Sequence, residues 1–368
     1  MLIGLCGGKT QDAARPGICA GKSSIAAVLA EEHNFTRIRL ARSAATRPAA
    51  AARGHEPLVF ADMDALLDFV TLRWTERWVT TDICDDKVVD ALLRRPFVLL
   101  VSVDAPVSVR WRRFADRCAA NQLPPPTLEQ FVLRSDAHLF APGTGLSALC
   151  QRAQLKLINS TTSISSLREA IRALDLTNQA RLRPSWDHYF MRLADLAAHR
   201  SNCMKRRVGC VIVREKRVVS TGYNGTPRGM TNCNDGGCLR CNNAAKGGTG
   251  LDTCLCLHAE ENALLEAGRD RIGGSATLYC NTCPCLTCSV KITQVGISEV
   301  VYNQAYMVDS MTAKIFAESG VRLRQFSPPT DGLVHLSMGL TSDDGTTPTA
   351  TEDMRKVLDH DDFLPPLP

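Results

Sequence analysis

Two short stretches, His258-Ala259-Glu260 and Pro284-Cys285-Leu286-Thr287-Cys288, decide how the C-terminal half of this chain is read. One neutral imidazole and two thiolates bind Zn²⁺ and leave a fourth position for water. Pro284 suits the first turn of a helix, where a missing N–H costs nothing. The two cysteines then sit near a helix N-terminus, whose positive end lowers a thiol pKa. Cys285 and Cys288 are i, i+3 neighbours, so both can face one ion. His258 opens a second helix, and Glu260 two residues on reaches the water without joining the ligands. Zinc lowers the pKa of such a water from 15.7 to about 7, and Glu260 is the catalytic carboxylate that takes its proton. A purely structural Cys/His site accounts for the ligands but not for that carboxylate.

Working outward, Trp186, Phe190, Leu193, Ala194 and Ala197 follow helical spacing. Val208–Val213 reads as an apolar strand and Val218–Thr221 as its hairpin return. A Cys/Gly/Asn-rich insertion (Thr231–Thr253) precedes the helix His258–Glu266. Then come strand Ala276–Cys280, helix Pro284–Gln294, strand Glu299–Asn303, helix Asp309–Glu318 and strand Val321–Phe326. Strands joined through helices pair in parallel, so residues 184–327 are expected to form a five-stranded mixed sheet between helical layers, an α/β/α sandwich. H-x-E…P-C-x-x-C is the general pattern of zinc nucleobase deaminases. Its chemistry is hydrolytic: hydroxide attacks C4 of a cytosine ring, ammonia leaves and uracil remains.

The chain has 368 residues, 45% hydrophobic and 22% charged, ordinary for soluble globular domains. No apolar run approaches the ~20 residues of a membrane span, and the N-terminus lacks a secretory pattern, so no membrane partner and a cytoplasmic, or also nuclear, location are expected. Eleven of the sixteen cysteines lie between Cys203 and Cys288. Clustering of that kind in an intracellular chain points to metal rather than disulfides. From residue 328 onward eight acids face two bases, a net −6, leaving +11 on the rest of the +5 chain. Residues 328–368 are therefore read as an acidic, disordered tail.

Residues 1–180 read as a separate α/β domain. Leu2–Leu5 is a short buried strand, followed by a glycine-containing loop and a helix from Lys22 to Glu32. Gly21-Lys22-Ser23 supplies the end of a phosphate-binding loop, G-x-x-x-x-G-K-[ST], which wraps backbone N–H groups around phosphate at a helix N-terminus. Pro16 stands where the first glycine belongs, and Lys9–Arg15 looks like an insertion, so the loop is degenerate. Phe97–Val103 and Lys156–Ile158 are further buried strands. The whole is read as a P-loop nucleotide-kinase-like fold kept for folding or assembly, not for phosphoryl transfer.

Residues 184–327 resemble the deoxycytidylate (dCMP) deaminases, especially the fungal type, within the cytidine/deoxycytidylate zinc deaminases. The resemblance rests on Arg200-Ser-Asn-Cys-Met-Lys-Arg-Arg-Val-Gly-Cys, Thr221-Gly-Tyr-Asn-Gly-Thr-Pro, Cys254-Leu-Cys-Leu-His-Ala-Glu-Glu-Asn-Ala and Thr282-Cys-Pro-Cys-Leu-Thr-Cys. The N-terminal part is similar to the kinase-like extension of fungal members. The resemblance implies deamination of dCMP to dUMP, feeding dTMP synthesis, with dCTP activating and dTTP inhibiting, Mg²⁺ accompanying the regulatory nucleotide, and a homohexamer. It implies a second, structural zinc held by Cys203, Cys233 and Cys256, with Cys241 or else Cys238 as the fourth ligand; a closed structural site takes four. It places Asn224 and Ala259 in the substrate pocket. Arg200, Ser201, Asn202 and Lys205 form a basic polar segment suited to a 5′-phosphate through charge-assisted bonds. Tyr302 and Tyr306 follow the fourth strand and suit the base or sugar; Glu261 and Asn262 suit the sugar or regulator. A turn-forming role for Asn224, a solvated basic face and simple tyrosine packing are the plainer readings.

Two other functions fit the zinc motif. A deaminase of single-stranded nucleic acid or tRNA wants stacking aromatics along a basic groove, and aromatics are only 5% of this chain, so no nucleic-acid partner is expected. A non-catalytic nucleotide sensor predicts damage to the motif, and His258, Glu260, Cys285 and Cys288 are intact.

Overall fold

The computed structural model describes residues 1–7, 19–41, 57–83, 85–143, 145–243, 245–246, 249–305, 310–328 and 332–336. Among these, the strands are β1 (Leu2–Cys6), β2 (Thr36–Leu40), β3 (Leu58–Phe60), β4 (Trp78–Ile83), β5 (Val98–Asp104), β6 (Leu155–Asn159), β7 (Gly209–Arg214), β8 (Arg217–Tyr223), β9 (Thr277–Thr282), β10 (Glu299–Gln304), β11 (Arg322–Gln325) and β12 (Gly332–Leu336). The chain divides into two compact units, Met1–Thr177 with the segment from Gly332 onward, and Asn178–Asp331.

The first unit is built on a seven-stranded sheet in the order β12-β6-β5-β1-β4-β2-β3, and every pairing in it is parallel. Parallel strands need crossovers, and a sheet covered on both faces reads as continuous apolar runs rather than alternation. Val98–Val103 is such a run, and it is buried throughout. The helix Lys22–His33 opens directly on Gly21-Lys22-Ser23, with Gly21 at φ 103°. A side chain there would be strained, and its Cβ would lie 2.3 Å from the Asn159 amide nitrogen. Lys22 is only 7% exposed. The inserted stretch 9–15 lies outside the described residues.

The acidic-tail reading needs a correction at one place. Gly332–Leu336 forms the edge strand β12, in register with Leu155–Asn159. Leu333-Val-His-Leu is a β-prone apolar run, and its Leu336 is buried. Residues 337–368, where most of the acids fall, lie outside the described residues.

The second unit carries the five-stranded mixed sheet, in the order β11-β10-β9-β7-β8. β7 pairs antiparallel with both β8 and β9, while β9-β10 and β10-β11 are parallel. Alternation along each strand sends side chains to opposite faces. Cys210 and Ile212 of β7 enter a core with Leu278, Cys280, Val300, Ile292 and Phe316. Val211 and Val213 enter the other, with Phe190, Met191, Tyr279 and Val301. Full burial of one such large side chain is worth roughly 1.5–3 kcal/mol, so the two cores fix the sheet between its helical layers. Helix Trp186–Ala198 lies on the second face and is capped by Ser185, whose side chain accepts from the His188 N–H at 3.2 Å. At its outer end Asp187 bonds the Tyr279 hydroxyl at 2.8 Å and pairs with Arg324, which also reaches Glu299. Among the described residues no helix is long and apolar enough to cross a membrane.

Candidate metal and nucleotide site

The sheet presents its chemistry through two helix N-termini. His258 caps the helix Ala259–Ala267, and Cys285 caps the helix Leu286–Gln294. The second helix thus begins two residues later than the sequence pattern suggests. Cys285 is extended, at φ −79° and ψ 170°, and Pro284 lies just ahead of the cap. The first helix reaches the sheet closely because Gly222 of β8 has no side chain. A Cβ there would meet the Ala259 carbonyl oxygen at 2.1 Å and the Ala263 nitrogen at 2.4 Å. The Ser220 hydroxyl donates to the Ala263 carbonyl at 2.8 Å and ties the same helix down.

The three ligand atoms converge: His258 Nδ1 lies 3.4 Å from Cys285 Sγ and 3.3 Å from Cys288 Sγ. Around a tetrahedral zinc, bonds of 2.0–2.1 Å to nitrogen and 2.3 Å to sulfur would put such atoms about 3.5 Å apart. The donor set therefore fits the ion in type and in spacing. The Cys285 thiol is drawn down to about 3, first by its hydrogen bond from Cys288 and then by His258 and Thr287, against burial. A thiolate is thus favoured there before any cation arrives.

Glu260 is buried, 4% exposed, and burial pushes its carboxyl above the usual range. The neighbouring carboxylate, Glu261, serves the scaffold. Its Oε2 accepts from the His258 backbone N–H at 2.9 Å, and Lys291 from the cysteine-bearing helix contacts its Oε1. Glu261 and Lys291 thereby link the helix carrying the histidine to the helix carrying the cysteines. Asn262 donates to the Tyr223 carbonyl at 2.9 Å. The sequence offers Glu261 and Asn262 for nucleotide contact and carries no signal for Lys291. The visible signal for Glu261 was its place three residues after a helix cap, the spacing of a capping box.

Arg200, Ser201, Asn202 and Lys205 line one cavity of about 600 Å³, with Arg206, Arg207 and Tyr223 also on its wall. His258, Glu260, Cys285 and Cys288 are not part of that lining. Arg200 and Lys205 are exposed. Ser201 and Asn202 are engaged internally: Ser201 Oγ donates to Asn224 Oδ1 at 2.7 Å, and Asn202 Nδ2 donates to Asn232 Oδ1 at 2.8 Å. Asn224 is a buried brace. Its Oδ1 also accepts from Val208 N–H at 2.8 Å, and its Nδ2 donates to the Arg206 carbonyl at 2.7 Å. It holds the basic segment against the start of β7. Ala259 is fully buried and Tyr302 is 8% exposed; Tyr306 lies outside the described residues.

The cysteine-rich loop gathers a second set of donors. Cys203, Cys233, Cys241 and Cys256 have their sulfurs within 4.8 Å of one another, and so do Cys238, Cys241, Cys254 and Cys256.

Residues 184–304 match the family model of the cytidine and deoxycytidylate deaminase zinc-binding region. A deoxycytidylate deaminase of Schizosaccharomyces pombe is 50% identical over 317 residues, 86% of this chain and 97% of that protein. This chain belongs to the deoxycytidylate deaminase family. A second such enzyme, from Saccharomyces cerevisiae, is 48% identical over 72% of this chain and 86% of its own length. Among solved structures, the dCMP deaminase of cyanophage S-TIM5 in complex with dCMP and dUMP is 28% identical. It spans 39% of this chain and 98% of its own, with a TM-score of 0.32. The alignment with the fission-yeast protein extends well beyond the zinc region, so the family relation includes residues of the first unit.

Proposed function

We propose that this chain converts dCMP and water to dUMP and ammonia, with His258, Cys285 and Cys288 holding a catalytic zinc and Glu260 moving the protons. The observation that carries this is the convergence of one imidazole and two thiols at two helix N-termini, with a buried carboxylate two residues from the imidazole. Bound there, zinc supplies a Lewis acid that makes water a nucleophile near neutral pH. With zinc held there, Glu260 would accept one proton of the attacking water on a carboxylate oxygen and pass it to ring nitrogen N3. It would then take the second proton from the hydroxyl now on C4 and pass it to the departing amine, so both water protons are accounted for and the balance closes on uracil and ammonia. Its burial supports this role, because a carboxyl held above its usual range retains a proton more readily between the two transfers. Glu261 and Lys291 tie the histidine-bearing helix to the cysteine-bearing helix.

Arg200 and Lys205, on the wall of a cavity that also bears Arg206 and Arg207, support recognition of a phosphate group. Asn224, with Ser201, is the brace that presents them. The loop thiols support a structural zinc apart from the catalytic one. We read the first unit as a kinase-like shell without phosphoryl transfer, from the β1 strand, the Gly21-Lys22-Ser23 turn and the wholly parallel sheet.

The test is a rate comparison on dCMP, deoxycytidine, CMP and a cytosine-containing oligonucleotide. The proposal expects dCMP to be deaminated at least about tenfold faster than deoxycytidine, since each 1.4 kcal/mol of phosphate recognition is worth that factor. Equal rates on the two would contradict phosphate recognition, and preference for the oligonucleotide would replace the substrate assignment.

A further inference from the structure

The cysteine-rich loop contains more sulfur than one structural zinc can use. The two quartets share two members, Cys241 and Cys256. Cys203 and Cys233 complete one quartet, and Cys238 and Cys254 the other. Zinc–sulfur bonds near 2.3 Å at tetrahedral angles put ligand sulfurs about 3.8 Å apart. The separations are 3.8 Å for Cys203–Cys241, 3.9 Å for Cys241–Cys254 and 3.9 Å for the shared pair Cys241–Cys256. All are far beyond a disulfide bond, near 2.05 Å, and the cysteines are free thiols. Two tetrahedra sharing the edge Cys241–Cys256 need this arrangement, with one outer pair on each side.

We propose that the loop holds two zinc ions in a six-thiolate cluster, Cys241 and Cys256 bridging them, Cys203 and Cys233 ending one side and Cys238 and Cys254 the other. This deepens the reading of a structural zinc in the loop and rests on it. The electrostatics favour the second ion: four thiolates and one Zn²⁺ carry −2, and two further thiolates with a second Zn²⁺ add no net charge.

The four outer sulfurs also have the N–H donors that terminal thiolates require. Cys203 accepts from the backbone N–H groups of Lys205 and Arg206. Cys233 accepts from Met204 N–H at 3.4 Å and Asn242 Nδ2 at 3.8 Å. Cys238 accepts from the backbone N–H groups of Cys241 and Leu255. Cys254 receives Arg240 Nη1 at 3.7 Å, and that arginine is anchored through Nε on the Thr249 carbonyl at 2.8 Å. The buried group at the centre of this loop is made of cysteines. Metal–sulfur bonds therefore replace the hydrocarbon packing that orders the rest of the unit, and loading the cluster releases the thiol protons.

The test is metal stoichiometry on the full-length protein, purified without chelator, by elemental mass spectrometry against protein concentration. The proposal expects three zinc per chain: one at His258, Cys285 and Cys288, and two in the loop. Two per chain would overturn the cluster and leave the single structural zinc standing; one per chain would overturn both. The double variant Cys238→Ser/Cys254→Ser should fall from three to two, and an unchanged count would contradict the assignment of those ligands. If that variant does not fold, ¹¹³Cd NMR of the unaltered chain reloaded with cadmium decides. Two resonances coupled to each other through shared thiolates are expected, and uncoupled resonances would overturn the proposal.

Discussion

The two sulfur-rich regions of the second unit are built in opposite ways. The His258–Cys285–Cys288 site stands on regular structure: two helix N-termini, a glycine that lets one helix press onto β8, and a hydrocarbon core that includes Cys288. The loop cluster has no such support. Its elements are single turns, Cys233–Asp235 and Leu239–Asn242, and its buried core is sulfur. The first region offers three ligands beside a buried carboxylate. The second offers closed sets of four with N–H donors on the outer sulfurs. A metal can do chemistry where the fold already holds three ligands rigid and a fourth position is left for water. Where the metal itself is the fold, every position is taken.

The sharpest way to break this comparison is to remove Cys288. Cys288→Ala should lose one zinc per chain and bring dUMP formation to background, with far-UV circular dichroism unchanged, because the sheet and helices do not depend on that ion. Retained turnover, or collapse of the secondary structure, would put the two regions in the same class. A smaller effect, on local order, sharpens the other side. Stripping metal with a strong chelator and a thiol-reactive release agent should open residues 231–257 to limited proteolysis while the sheet stays protected. Cleavage sites read by mass spectrometry decide this, and a loop that stays resistant would mean that packing, not metal, orders it.

The smallest expected effect concerns what holds the sheet instead of metal. Burial raises the Asp187 carboxyl, but its hydrogen bonds from Arg324 and Tyr279 outweigh that and hold it below the usual carboxylate value. A depressed folded value means a stabilising contribution that is fully present above the unfolded pKa, about 3.9, and is lost as pH falls through the folded value. Asp187→Asn should therefore lower urea stability at pH 7, and the gap to the parent chain should shrink as the pH falls below 4. A gap independent of pH would show that the ion pair contributes nothing through its charge.

How much of this was legible in the sequence follows the same division. The strands of the second unit and the zinc-binding helices were readable because each carries a local signal: a continuous apolar run in Val208–Val213, and His258 and Pro284-Cys285 at the starts of helical segments. Helix ends were less so; Cys285 reads as the first turn and stands as the cap. The loop has no period; the family resemblance named candidate thiols there, but not the two overlapping quartets, which depend on how single turns fold back. A short amide in a turn, such as Asn224, can meet a ligand or brace the chain, and the sequence does not separate the two; its bonds to Ser201, Val208 and Arg206 add a brace on the basic segment. The strand Gly332–Leu336 was hidden by the acidic stretch around it, since composition averages over a window longer than five residues.

The central claim is that Glu260 moves the protons while zinc is held by other groups, and Glu260→Gln tests it most directly. Zinc content and dUMP formation should be measured on the same preparation. The account predicts an unchanged metal count and a rate lower by at least about 10²–10⁴-fold, the usual contribution of a positioned acid–base group. Turnover within a few-fold of the parent chain at full zinc content would contradict it.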